Sequence, residues 1–84
     1  GLAAGVGDPH DAMERTEAVA MLDRVLQRMS DDRREVFVLS ECEQLTAPQI
    51  AAALEIPVNT VYSRCRLARE DFNAIVARLG RRSP

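Results

Sequence analysis

Four side chains carry the most legible chemistry in this chain: Asn59, Tyr62, Ser63 and Arg66. Each ends in a hydrogen-bond donor, and two of them are long enough to reach well beyond a backbone. At about 100° per residue they fall on one stripe of a helix, which Glu70 and Asn73 continue. The opposite stripe holds Val61, Cys65, Ala68, Phe72, Ile75, Val76 and Leu79. That is the i, i+4, i+7, i+11 spacing of a single buried face. A helix from Val58 to about Leu79 is therefore expected to grip a core with one edge and offer donors to a partner with the other.

The elements that must hold this helix lie just upstream. Residues 46–54 (TAPQIAAAL) read as a short helix. Thr46 is placed to cap its first turn, and Pro48 fits where a missing N–H costs little. Ile50, Ala51 and Leu54 form its inner face, with Ala51 small enough for a close crossing. The pattern breaks at Glu55-Ile56-Pro57, because proline disfavours helical geometry in the residue before it. A capped short helix, a tight turn and a longer helix with a polar outer edge make a helix-turn-helix, whose second helix enters a DNA major groove.

Charge supports that placement. The 84 residues carry a net charge of −2, yet residues 1–58 hold five Arg against eleven acidic residues, and residues 59–84 hold six Arg against Glu70 and Asp71. The chain is thus dipolar, acidic in front and basic around the second helix, which suggests two different partners. All eleven basic residues are Arg, which makes the bidentate contacts to guanine and phosphate that Lys does not; arginine-rich codon usage accounts for the same bias.

Nothing here suits catalysis. No Ser-His-Asp set, metal-ligand cluster or phosphate-cradling glycine loop occurs, so a non-enzyme without cofactor or metal is expected. Cys42 and Cys65 are too few for a disulfide framework. Cys65 belongs to the apolar stripe, and Cys42 is expected to be half-buried near a helix end. His10 stands alone. Without a signal segment or a long apolar run, the protein is expected to be cytoplasmic and this domain to make no membrane contact.

Taken in order, residues 1–13 (GLAAGVGDPHDAM) read as a flexible linker or remnant, and residues 14–82 as one helical domain. A first helix is expected from Glu14 to Met29, with Ala18, Leu22, Val25, Leu26 and Met29 inward. Ser30 is expected to cap a second, running to about Glu43 with Asp31 and Asp32 in its first turn. Gly80 is expected as the residue just past the last helix, with Arg78, Arg81 and Arg82 near its negative end. The fold class is all-α: four helices containing a helix-turn-helix, akin to winged-helix DNA-binding domains without the wing. The expected core is Leu22, Val25, Leu26, Val36, Phe37, Leu39, Ile50, Ala51, Leu54, Val61, Cys65, Ala68 and Phe72, centred on Phe37, Leu54, Val61 and Phe72.

These strings resemble region 4 of extracytoplasmic-function sigma factors. The likeness is carried by LxxMSDDRREVFVL from Leu26, LTAPQIAAALEIPVNTVYSR from Leu45, and the Ala-Arg-Glu from Ala68. The resemblance implies a domain that reads the upstream (−35) promoter element with its last helix and docks on the β flap of RNA polymerase core. An anti-sigma factor that covers region 4 is a further partner implied by the family. Carried over by position, Tyr62, Ser63 and Arg66, with Asn59, would contact bases; Thr46, Thr60, Arg64 and Arg69 would contact or orient on the DNA backbone. Three positions depart from the family. Glu55 stands where glycine is common, so the turn is expected without a positive φ. Asn59 replaces a common Gly or Ser, and Leu67 stands where Arg or His is usual, implying partial packing, a thymine methyl or an anti-sigma contact.

Two other readings stand beside this one. A response-regulator output domain shares the four-helix build, though it more often carries Lys and His near Thr60–Arg64. An interaction domain that has lost DNA binding would account for the acidic front and Leu67.

Overall fold

The structure is a computed structural model, and it describes residues 9–81. Four α-helices follow one another: α1 (Pro9–Gln27), α2 (Asp31–Phe37), α3 (Ala47–Leu54) and α4 (Val58–Arg81). A π-helical turn, Val38–Cys42, extends α2. No strand occurs among the described residues. The architecture is the all-α helix-turn-helix expected, with α4 packed on α1, α2 and α3.

The core is aliphatic because almost no aromatic mass is available. Val25, Val36, Ile50, Val61 and Ala68 are fully buried, joined by Met29, Phe37 and Ile75. Leu26, Leu39, Ala51, Leu54, Cys65 and Phe72 pack around them while partly exposed. Phe72 lies parallel to Phe37 with ring centroids 4.5 Å apart, so the pair joins α2 to α4. Of the four expected central residues, Phe37 and Val61 are buried, whereas Leu54 and Phe72 border the centre.

The first helix starts earlier than expected, and of its expected inner edge it keeps Val25, Leu26 and Met29 but not Ala18 and Leu22. It begins at Pro9, so residues 9–13 of the expected linker are helical, and residues 1–8 lie outside the described residues. Its inner edge is Met21, Val25 and Met29, with Leu26 alongside. Ala18 is exposed and Leu22 lies outside the core cluster. Only the last two turns of α1 cross the other helices, so the i, i+4, i+8 row ending at Met29 sets the rotation.

Arg34 secures that crossing. Its Nε donates to the Leu26 carbonyl at 2.6 Å, which also accepts from the Met29 amide, and an Nη donates to the Met29 carbonyl at 2.7 Å, just past the end of α1. Its other Nη donates to Asp31 at 3.0 Å. Arg33 reaches across to Asp71 on α4. Ser30 occupies the cap position of α2 with extended backbone, but its side chain accepts no cap bond. The start of α2 is marked instead by Asp31 and Asp32 in the first turn.

At α3 the expected cap is complete. The Thr46 hydroxyl accepts from the Gln49 amide at 3.3 Å, and Gln49 Oε1 accepts from the Thr46 amide at 2.8 Å. Removing the hydroxyl in Thr46→Ala is expected to cost ~1 kcal/mol of stability, read as a lowered midpoint in urea.

The turn between α3 and α4 corrects the expectation for Glu55, which adopts the left-handed conformation at φ 57° and ψ 47°. Its amide and that of Ile56 both donate to the Ala51 carbonyl, closing the helix end. Pro57 then supplies the carbonyl that accepts from the Thr60 and Val61 amides. A side chain at positive φ costs roughly 1–2 kcal/mol, and glycine gives part of that back through its greater unfolded-state entropy. Glu55→Gly is therefore expected to raise the melting temperature by a few degrees, checked by a thermal melt followed by circular dichroism. Gln44, at φ 60°, makes the corresponding turn after the π segment. Gly80 is no terminator: it is helical, with Arg78 and Arg81 in the last turn of α4, and Arg82 lies outside the described residues.

Candidate nucleic-acid interface

The outer face of α4 is built by its inner one. Val61, Ala68 and Ile75 anchor the helix along one line, so its rotation is fixed and the opposite side chains must face outward. Asn59, Tyr62, Ser63 and Arg66 are all exposed, with Tyr62 at 60%. Along the wheel Tyr62 and Ser63 lie about 40° and 60° to either side of Arg66, and Asn59 about 20° away. The four residues expected to act together do share one face.

The residues expected to serve the backbone divide between two flanks. Arg69 borders the groove beside Tyr62 and Arg66, about 60° from Arg66. Thr60 is half-buried on the other flank, about 120° from Arg66; Arg64, half-buried about 160° away, adjoins the buried line rather than the exposed face. Leu67, also half-buried, lies on that second flank. Thr46 is exposed at the start of α3, next to Ala47, which lines the groove. Its oxygen accepts from the Gln49 amide, and its hydroxyl proton remains to be donated to a partner.

The groove itself is open. Ser40, Ala47 and Ile50 form one wall; Tyr62, Cys65, Arg66, Arg69, Glu70 and Asn73 form the other. Arginine and tyrosine edge an apolar floor, an arrangement suited to hydrogen bonding along an extended polar surface.

Two carboxylates temper the arginines. Glu70 Oε2 accepts from Arg66 Nη1 at 3.5 Å across one helical turn. Glu41 Oε1 accepts from Arg69 Nε at 2.7 Å, and this contact joins the π turn to α4. The second pair was not legible from spacing, since its members are 28 residues apart. Cys42, beside Glu41, is exposed rather than half-buried. No group of three metal-ligating side chains occurs among the described residues, and no helix there is long and apolar enough to cross a membrane.

Comparison with known proteins decides the family, for residues 20–72 match the model described as "Sigma-70, region 4". The chain belongs to the sigma-70 region 4 family. It is 37% identical over 65 residues to the RNA polymerase sigma-H factor of Pseudomonas aeruginosa, covering 77% of this chain and 34% of that protein. It is 32% identical over 77 residues to the ECF RNA polymerase sigma-E factors of Escherichia coli K12 and Salmonella typhimurium LT2, covering 92% of this chain and 40% of those proteins. The chain thus spans between a third and two-fifths of the length of these curated relatives. The matched segment contains the last turns of α1, α2, the π turn, α3 and α4 as far as Phe72, and so includes Asn59, Tyr62, Ser63 and Arg66. The family is the sigma one, not that of response-regulator output domains.

Proposed function

We propose that this domain reads the −35 element of a promoter, with α4 lying in the major groove. The observation that carries the reading is the shared exposure of Asn59, Tyr62, Ser63 and Arg66 on a face whose rotation is locked by Val61, Ala68 and Ile75. Arg66 supplies a bidentate fork of the kind that selects guanine through O6 and N7, while Asn59, Tyr62 and Ser63 hydrogen-bond to neighbouring base edges. Arg69 on one flank and Thr60 on the other fit the two phosphate walls of a groove about 12 Å wide, and Thr46 reaches the backbone from α3. These contacts hold and orient; none performs chemistry on the DNA.

Family membership supports the remaining partners. The polymerase core, through its β flap, is the protein on which the domain docks to direct initiation, and an anti-sigma factor is its antagonist.

Selection of bound duplexes from a randomised pool tests the reading. Enrichment of a short motif containing guanine is expected, with positions that respond to Arg66. Recovery of an unenriched pool at low salt would leave only an interaction domain.

A further inference from the structure

Arg69 is held by a residue far away in sequence. Glu41 lies on the π turn, which the Glu43 amide closes by donating to the Val38 carbonyl at 2.9 Å. Such wide turns recur at functional positions. From it the Glu41 carboxylate accepts at 2.7 Å from Nε of Arg69, a residue that borders the groove together with Tyr62 and Arg66. The pair is a tertiary contact, unlike the one-turn neighbours Arg66 and Glu70. Both partners remain substantially exposed, 61% for Arg69 and 41% for Glu41, so the guanidinium stays open to a second anion.

We propose that Glu41 is an intramolecular stand-in for a DNA phosphate, which engages Arg69 in the free domain and lowers sequence-independent binding. This rests on the reading of α4 as the DNA-facing helix. The carboxylate offers the same charge and the same acceptor oxygens as a phosphate. A phosphate reaching Arg69 finds Nε already bonded and a negative charge beside it. It binds through the two terminal amino groups, against repulsion from Glu41. Base contacts by Arg66 are untouched, so the domain keeps its dependence on sequence while its general affinity for DNA is held down.

The experiment uses the 84-residue chain, one selected duplex and its scrambled counterpart, titrated by fluorescence anisotropy across a salt series. Glu41→Gln keeps the size of the side chain and an oxygen for Arg69 Nε, and a thermal melt verifies that it folds. It is expected to tighten binding to both duplexes by about two- to fivefold, the scale of an exposed ion pair, and to steepen the salt slope by up to about 0.9. With Arg69→Ala already present, more than half of that gain disappears. A gain mostly retained without Arg69 overturns the inference, since net charge alone would then explain it; so does unchanged or weaker binding by Glu41→Gln. If Arg69→Ala weakens binding while Glu41→Gln is neutral, the inference about Glu41 fails and the reading of α4 stands. If no variant binds either duplex, the reading of α4 fails and takes the inference with it.

Discussion

Arg66→Ala is expected to weaken binding to the selected duplex by ~1–3 kcal/mol and to relax base preference at one or two positions. The size follows from what is lost. Arg66 is 67% exposed in its side chain and sits centrally between Tyr62 and Ser63, so its fork is available to a base edge without rearrangement of the core. Its contact with Glu70, at 3.5 Å, is long and exposed, and gives up little when the guanidinium turns to DNA. Arg69→Ala provides the contrast: binding to all sequences should fall alike, and the salt slope should flatten by less than about 0.9, since Glu41 already offsets part of the one phosphate contact removed. Anisotropy titrations of both variants against selected and scrambled duplexes make the comparison. Equal losses by Arg66→Ala on the two duplexes would assign it to the backbone.

Phe37→Ala is expected to cost ~3–5 kcal/mol of stability, read from urea unfolding. Phe37 is 8% exposed and stacks on Phe72, so truncation opens a cavity between α2 and α4 and leaves the second ring without its partner. The core has no other aromatic pair to close the gap. A domain of 84 residues is expected to be stable by only about 4–13 kcal/mol in total, so this one change consumes a large fraction of it. DNA binding should fall with the folded population, equally for every sequence. Met13→Ala, on the exposed part of α1, serves as the control and should shift stability by less than about 0.5 kcal/mol.

Features that depend on near neighbours were legible in the chain. The Thr46 cap, the buried line through Val61 and Ala68, and the outward set around Arg66 each follow from spacing within a few turns. Features that depend on distant elements were not. The inner edge of α1 is set by where its last turns cross the others, which keeps Val25, Leu26 and Met29 but puts Met21 in place of Ala18 and Leu22. Arg34 reads as one more charge until its guanidinium is seen closing the end of α1. Glu55 accepts a left-handed backbone because the chain must reverse between α3 and α4, and closure of that turn outweighs the local preference. Gly80 remains helical because helix propensity alone does not end a helix whose flanking side chain, Leu79, is packed against the core. The site divides in the same way: its outward-facing residues were visible in sequence, and the Glu41–Arg69 pair was not.

Amide chemical-shift mapping of the isotope-labelled chain during titration with a selected duplex tests the central claim most directly. The account predicts that perturbed amides cluster in residues 58–70 and at the start of α3, with α1 unchanged. Perturbations concentrated on α1, or on the Arg28 and Leu79 side where it meets the end of α4, would contradict it.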